Sequence, residues 1–586
     1  MKKFLSANEA VAHAAAQAGC VVASAYPGTP STEILENIAK FKDTINCEWA
    51  VNEKVAVETA VGASMAGARA LTAMKHVGVN VAMDPLMTFT YVGPLGGFVL
   101  ISADDPGMHS SQNEQDNRNL AKFARALLLE PADSQEAYDM TVKAFELSEK
   151  YQVPVIIRLT TRTSHSSSIV ELGDFKPAPH PLIPYVKNIK KTIPVPMFAR
   201  GHRLAAEARS AAMEAEAVKS PFNRIIRGKK SLGIVTSAVA YQYVKEIFPE
   251  YSILKLGWTN PLPKALIKKF AKSVEKLLVV EELDPFLEDQ IKAMGIKTVA
   301  HKTDLDMFEL NADRLQDLRH EILKDVPKTK KAKVPELPTR PPVLCAGCGH
   351  RGVFYTLAKL GATVTGDIGC YTLGAFPPLN AMDTTICMGA SIGNAAGMKK
   401  AGLKGRICAV LGVSTFFQSG ITGILSAHYN GTPVTTVVLD NRITGMTGHQ
   451  ENPGSGKTLA GDPAPVTEID AIAKACGYKK VVTVSADDLA ELEKVLKDAM
   501  DCDEGALIIA YAPCRIAAKL TKEGLCEVDA EKCKACGMCF KMGCPAMTRG
   551  AEIRKGAYQM VIDPTLCAGC KQCSQVCKFG AIRRVR

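Results

Sequence analysis

The first third of the chain alternates between short apolar runs and longer segments in which small and apolar residues return at helical spacing. CVVASAYP, GGFVLISADDP and VPVIIRLTT read as strands buried on both faces, and NEKVAVETAVGASMAGARA reads as a helix between two of them. Such alternation predicts a parallel sheet with helices on both sides. SLGIVTSA, YSILKLG and KLLVVEEL repeat the pattern on a smaller scale, and a third set lies beyond residue 343. There AVLGVSTFFQSG is a buried strand running into a glycine turn and a helix. TTVVLDNRITGMTG is a second strand, whose end carries Asp440 and Asn441. From residue 521 the chain loses helical periodicity and becomes dense in cysteine.

These changes of pattern divide the chain into an α/β domain over 1–185, a connector over 186–230 with one Ala/Glu-rich helix (His202 to Val218), and a smaller α/β domain over 231–326. A linker follows over 327–342, then an α/β domain over 343–518 and a cysteine-rich domain over 521–586. The stretch KDVPKTKKAKVPELPTRPP, rich in proline and basic residues, marks the linker as extended. A length of 586 residues accommodates several cores, and 47% hydrophobic with only 6% aromatic residues suits Ala-, Val- and Gly-rich α/β packing.

The N-terminus MKKFLSANEAVAHAAAQAGCVVASA has the basic start and small-residue ending of a signal peptide. Asn8, Glu9, His13 and Gln17 interrupt its apolar core and favour an amphipathic first helix. No apolar run approaches the ~20 residues that span a bilayer, so a cytoplasmic protein without membrane contact is expected. The net charge is +11, and from Thr521 onward twelve Lys/Arg face six Asp/Glu, about half the excess. That is either a solvated basic tail or a docking surface for an acidic protein partner. No aromatic-interleaved basic stripe or reading helix accompanies it, which disfavours nucleic acid.

Eight of the nineteen cysteines fall between Cys533 and Cys577, too closely grouped for extracellular disulfides. CKACGMCFKMGCP is C-x2-C-x2-C-x4-C-P and CAGCKQCSQVC is C-x2-C-x2-C-x3-C. In such doubled motifs each triplet wraps one 4Fe-4S cluster while the fourth cysteine reaches the neighbouring one. One cluster is expected on Cys533, Cys536, Cys539 and Cys577, and a second on Cys567, Cys570, Cys573 and Cys544. Tetrahedral zinc accounts less well for the doubled triplets. Such a module carries single electrons, so an upstream site must generate them.

Three upstream features go together: the small-residue helix after Glu53, the similar ICMGASIGNAAGM, and the two strand ends. Singly, each is a weak signal, and Gly/Ala helices in α/β cores are more often packing devices than cofactor sites. Together with the redox tail they resemble thiamine diphosphate enzymes of the 2-oxoacid:ferredoxin oxidoreductase superfamily. Within it, YPGTPSTEI, MKHVGVN, ADDPGMHSSQNEQDNR, GDIGCYTLG and STFFQSGI resemble the alpha subunits of indolepyruvate ferredoxin oxidoreductases over essentially the whole chain. The resemblance implies a multidomain α/β thiamine diphosphate-binding fold with parallel sheets. In it, 1–185 is a pyrimidine-binding-type domain, 231–326 is transketolase C-terminal-like, 343–518 binds thiamine diphosphate, and the C-terminal domain is ferredoxin-like with two 4Fe-4S clusters. It also implies a beta subunit, in a heterodimer or dimer of heterodimers. The implied reaction oxidises arylpyruvates with coenzyme A to aryl-acetyl-CoA and carbon dioxide while ferredoxin is reduced.

Thiamine must lose its C2 proton, and a buried carboxylate at the aminopyrimidine N1′ favours the tautomer that takes it. Glu53 holds the family's place for that catalytic carboxylate, with Glu58 and Glu48 as competing assignments. By the same resemblance Gly389 and Gly412 bind cofactor, Asn441 and the carbonyl of Ile443 ligate Mg²⁺, and Thr447 bonds a phosphate oxygen. The Mg²⁺ carboxylate falls on Val413, where the family pattern resembles GDSTFFHSG; Gln418 is a second departure. Mg²⁺ is usually held through one or two carboxylates plus substrate phosphates, and an isopropyl group cannot replace the anion. Asp440 is no simple substitute, because adjacent strand side chains point to opposite faces, and Asp367 belongs to a separate strand end.

Two readings follow. In the first, water, Ser414 and the diphosphate complete a weaker metal site in an active enzyme. In the second, the chain is an electron-transfer or scaffold subunit with an impaired thiamine site. Thr29 in YPGTP resembles a substrate-contacting position, beside a plain turn role, and Arg118 is either a partner for the substrate carboxylate or a surface arginine. Cys345 and Cys348 in PPVLCAGCGHRG, Cys370 in GDIGC and Cys514 in YAPCR match four cysteines that hold a third 4Fe-4S cluster in related oxidoreductases, although a lone C-x2-C is ambiguous between metal and redox use.

Overall fold

The computed structural model describes residues 1–299, 307–330, 335–338, 341–519 and 524–585. The expected linker over 327–342 and the start of the tail at 521 therefore lie partly outside the described residues. The chain forms two compact units, Met1–Val334 and Pro335–Arg586.

The first unit is built on a seven-stranded sheet. Its spatial order is Trp258–Asn260, Leu127–Leu129, Val155–Thr160, Phe98–Asp104, Ala70–Lys75, Val22–Ala25 and Asn46–Trp49. All neighbours are parallel except the first pair. The central strands Phe98–Asp104 and Val155–Thr160 are buried at every position, as continuous apolar runs in a helix-covered parallel sheet must be. A second sheet orders Leu277–Val280, Lys229–Ser237, Tyr251–Leu256 and Arg224–Ile226.

Four local expectations change. Met1 is followed by a strand, Lys2–Ser6, paired antiparallel with Ser167–Glu171. The helix Ala7–Gln17 that follows is buried on nearly every side instead of being amphipathic, because its alanines allow close approach to the helices Ser134–Tyr151 and Thr32–Ile38. Its polar Asn8 is satisfied by donating to the Pro30 carbonyl at 2.8 Å. The connector helix begins earlier than His202, spanning Pro196–Ala217 with proline in its first turn, where no amide hydrogen is needed. Trp258–Asn260, expected within the smaller domain, joins the edge of the larger sheet, fixed by Asn260 Nδ2 donating to the Ala126 carbonyl at 2.7 Å.

The second unit carries a six-stranded, wholly parallel sheet ordered Thr384–Thr385, Thr363–Gly366, Ile407–Gly412, Thr435–Asp440, Leu507–Tyr511 and Val481–Ser485. Alternate residues feed two apolar layers: Val410, Val437 and Ile508 on one face, Leu411, Val438 and Ile509 on the other. The cysteine-rich segment adds a ladder of Leu525–Val528 with Ile582–Val585 and a hairpin of Met547–Arg554 with Ala557–Ile562.

Candidate functional site

In the first unit, Glu53 opens the helix Glu53–Met65, whose N-cap Asn52 accepts the Val55 amide hydrogen. Glu53 is 8% exposed. A Cβ at Gly78 would lie 2.8 Å from Glu53 Cγ and Oε1, so only glycine there leaves the carboxylate its place. Of the competing residues, Glu58 forms a surface pair with Lys54 and Glu48 is exposed. Glu53 is thus the buried one of the three, the property that a carboxylate acting on a ligand ring nitrogen requires.

Thr29 sits half-exposed in the turn before the helix Thr32–Ile38, where Ser31 Oγ donates to the Gly28 carbonyl at 2.8 Å. Arg118 is neither a surface arginine nor a free partner for a carboxylate. It is 1% exposed. Its Nε donates to Asp116 Oδ1 at 2.8 Å, Nη1 to Glu281 Oε2 at 2.7 Å, and Nη2 to the carbonyls of Glu282 and Asp284. With its guanidinium committed to buried partners, Arg118 joins the seven-stranded and four-stranded layers of the unit and offers nothing to a substrate.

In the second unit, Ile407–Gly412 and Thr435–Asp440 are parallel neighbours with Gly412 opposite Leu439. Their C-terminal ends adjoin, at the edge where open α/β sheets bind ligands. Beyond Gly412 the chain enters a short helix, Val413–Thr415, a wide π-type turn, Phe416–Gly420, and the helix Ile421–Tyr429. Val413 is 1% exposed and packs with Phe416, Phe417 and Ile469. The position expected to bear the metal carboxylate is therefore an apolar core contact.

Asp440 and Asn441 face different surroundings. Asp440 and Val413 line a cavity of about 170 Å³, where Asp440 accepts the Arg442 amide hydrogen at 3.0 Å and pairs with Arg442 Nε at 3.1 Å. Asn441 Oδ1 accepts the Ile443 amide hydrogen at 3.2 Å, and its carbonyl accepts that of Cys514 at 3.2 Å. Thr444 Oγ1 donates to Ser414 Oγ at 3.0 Å, and Thr447 Oγ1 donates to Gln450. The oxygens offered by Asn441, Ile443 and Ser414 are all neutral. They fit the hard-oxygen preference of Mg²⁺ but leave its charge to be balanced by a bound diphosphate.

Gly389 and Gly412, expected to touch the cofactor, meet this chain's own side chains. A Cβ at Gly412 would fall 2.7 Å from the Tyr371 ring, and one at Gly389 would collide with Ser419 Oγ. The Gly389 amide hydrogen is donated to Asp367 Oδ2 at 3.0 Å, which also accepts from Ser391 Oγ, while Tyr371 donates to Oδ1. Burial pushes the Asp367 carboxyl up to about 7.

The cysteines gather in three groups. Cys539 lies among Cys533, Cys536 and Cys577. Cys573 lies beside Cys570 and Cys544, and those three with Cys567 line one cavity. The long-range partner of each triplet is thus the fourth cysteine of the other motif. In the third group Cys370 neighbours Cys345 and Cys514, and Cys348 neighbours Cys345 and Cys370. Burial pushes the Cys348 thiol up to about 12 and the Cys370 thiol up to about 11. A Cβ at Gly445 would sit 3.6 Å from both Cys370 Sγ and Asn441 Nδ2, so this group adjoins the strand-end loop. Gly347, between Cys345 and Cys348, has φ +73° and no room for a side chain, because Ala568 Cβ of the second motif would be 2.6 Å away.

Two residues escaped the sequence reading. Arg351 is buried and donates from Nη1 to the carbonyls of Met542 and Gly543 and from Nη2 to those of Leu344 and Cys345. It fastens the Cys345 loop to the first tail motif, a long-range role that nothing local in GHRG announces. Cys526 lies outside both spaced motifs yet lines the same cavity as Cys544, Cys567, Cys570 and Cys573; its only signal was an unassigned cysteine close to the first motif.

Three family descriptions match the chain: pyruvate flavodoxin/ferredoxin oxidoreductase, thiamine diphosphate-binding, over residues 13–217; thiamine pyrophosphate enzyme, C-terminal TPP binding domain, over 367–510; and 4Fe-4S binding domain over 560–583. The indolepyruvate oxidoreductase subunit IorA of Archaeoglobus fulgidus is 38% identical over 99% of this chain and 97% of its own length. That of Pyrococcus abyssi is 40% identical over 100% and 97%. The 2-oxoglutarate synthase subunit KorA of Methanocaldococcus jannaschii is 27% identical over 34% of this chain and 59% of its own length. No described helix is long and apolar enough to cross a membrane. Identity at this level along the whole chain, together with its thiamine diphosphate domains and iron–sulfur domain, places the protein in the indolepyruvate:ferredoxin oxidoreductase alpha-subunit family of thiamine diphosphate-dependent 2-oxoacid oxidoreductases.

Proposed function

We propose that the chain is the catalytic alpha subunit of an enzyme that oxidatively decarboxylates arylpyruvates of the indolepyruvate class with coenzyme A, working with a beta subunit and delivering electrons singly to ferredoxin. Bound thiamine diphosphate supplies the carbon nucleophile that makes loss of carbon dioxide from a 2-oxoacid accessible and leaves a centre from which electrons can be withdrawn. Glu53 holds or releases the proton at the aminopyrimidine N1′. Asn441, the Ile443 carbonyl and Thr447 receive the Mg²⁺-diphosphate end, with Ser414 as a neutral replacement for the carboxylate that Val413 lacks. Thr29 is the remaining substrate contact.

The observation that carries the oxidative reading is the closeness of Cys370 to Asn441 around Gly445. An electron acceptor on Cys345, Cys348, Cys370 and Cys514 would stand beside the diphosphate loop, which a non-oxidative thiamine decarboxylase has no use for. From there the proposed route passes the Gly347–Ala568 contact to a cluster on Cys544, Cys567, Cys570 and Cys573, and then to one on Cys533, Cys536, Cys539 and Cys577. The basic tail is the proposed docking face for ferredoxin.

The burial of Val413 in an apolar cluster favours a second reading, an electron-transfer or scaffold subunit with an impaired thiamine site. Anaerobic titration of the assembled protein with thiamine diphosphate and Mg²⁺ separates the two. The catalytic reading expects the native chain to bind the cofactor, with Val413→Asp lowering the Mg²⁺ requirement. Binding by the variant alone would establish the scaffold reading.

A further inference from the structure

Five cysteines, not four, surround the second tail cavity. Cys544, Cys567, Cys570 and Cys573 are the four that the spaced motif assigns to a cluster; the fifth, Cys526, reaches the same wall from the strand Leu525–Val528. Cys526 is 3% exposed, so water does not compete for its thiol. The antiparallel ladder that pairs Cys526 with Arg584 and Val528 with Ile582 fixes its position. It faces Cys567 and Cys573 across that cavity, beside Lys571, a residue held at φ 64° at the head of the short helix Gln572–Gln575.

The chemistry of a loaded cluster sets the direction of the sulfur–sulfur contact. A cysteine bound to iron is a thiolate and has no hydrogen to give. A hydrogen bond between Cys526 and Cys573 must then carry the Cys526 hydrogen, with Cys573 Sγ as acceptor. Hydrogen bonds to cluster sulfurs stabilise the reduced, more negative state and raise the reduction potential. The first group differs: Cys577 Sγ accepts a backbone hydrogen from Ala581 at 3.3 Å, and among the described residues no fifth cysteine is placed beside it in this way.

We propose that Cys526 is a positioning residue of the second cluster, donating its S–H to the Cys573 sulfur and holding that cluster at a higher potential than its four ligands alone would give. This rests on the assignment of a cluster to Cys544, Cys567, Cys570 and Cys573. The test is an anaerobic redox titration of the full reconstituted chain, followed by electron paramagnetic resonance, for the native protein, Cys526→Ala and Cys526→Ser, with iron counted in each. The alanine variant should keep its iron, and one cluster signal should show about a three- to tenfold lower reduced-to-oxidised ratio at the native midpoint potential. The serine variant, which retains a donor, should recover most of the difference. Unchanged midpoints in both variants overturn the proposal, as does loss of a whole cluster from Cys526→Ala, which would make Cys526 a ligand. If Cys570→Ser removes no iron, the cluster assignment itself fails, an outcome separate from an unshifted potential.

Discussion

Arg351 offers a quantitative test of how the tail is attached to the sheet of the second unit. Its guanidinium makes four donor contacts, to the carbonyls of Leu344 and Cys345 beside the Cys345–Cys348 loop and to those of Met542 and Gly543 beside the first tail motif. In Arg351→Met the length of the side chain is kept and every donor is lost. Hydrogen bonds from a charged donor contribute about 1.5–3 kcal/mol each, so four would amount to roughly 6–12 kcal/mol. Relief of the buried cation's desolvation offsets several kcal/mol of that, leaving a net loss of about 3–5 kcal/mol.

The loss should be local. The Gly543 amide, bonded to the Phe540 carbonyl, and the Cys348 amide, bonded to the Cys345 carbonyl, should exchange hydrogen for deuterium about 100-fold faster or more, at tenfold per 1.4 kcal/mol. Amides of the seven-stranded sheet should be unaffected. Arg549→Met, which removes an exposed arginine stacked 4.9 Å over Phe540, serves as control and should change exchange by only a fewfold. Acceleration of less than threefold in Arg351→Met would refute the clamp.

Further outcomes follow from the same geometry. Glu53→Gln should lower turnover by about 10²–10⁴-fold while leaving the fold intact, measured as kcat with saturating thiamine diphosphate; a loss below tenfold would move the role to another carboxylate. Asp367 should make the second unit sensitive to pH: burial raises its carboxyl from 3.8 to about 7, so the folded state keeps this proton to higher pH than the unfolded chain does. Its stabilising contribution is then complete below about pH 4 and declines as pH rises to about 7, by an amount on the order of 4 kcal/mol. Urea unfolding at pH 5 and pH 8 should show that decline in the native protein and not in Asp367→Asn. Cys348→Ser should reduce the iron of the reconstituted chain from about twelve atoms to about eight, as one 4Fe-4S cluster is lost; an unchanged count near eight would leave only the two tail clusters.

The parallel sheets were legible because their strands are short, continuous apolar runs, as in FVLISAD and VIIRLT, and a helix-covered sheet needs nothing subtler. The eight tail cysteines were legible because their spacing is itself the geometry of ligation. What escaped depends on distant contacts. Arg118 reads locally as the end of a polar run, but its partners Glu281, Glu282 and Asp284 lie more than 160 residues away. The Ala7–Gln17 helix looks amphipathic by sequence, yet neighbouring helices cover its polar side too. Gly389 and Gly412 carry the small-residue signature of a cofactor turn, and the close approach of Ser419 and Tyr371 is a second demand for glycine there that the sequence does not display. Glycine in sequence records that something approaches the backbone, without recording whether it is a ligand or the protein itself.

Whether the native thiamine site turns over is decided by anaerobic ferredoxin reduction by the assembled alpha and beta subunits with native Val413, thiamine diphosphate, Mg²⁺, coenzyme A and indolepyruvate, beside the same assembly carrying Val413→Asp. The native enzyme should show coenzyme A-dependent reduction, with a higher Mg²⁺ requirement than the variant. Reduction by Val413→Asp alone, at every Mg²⁺ concentration, would contradict it.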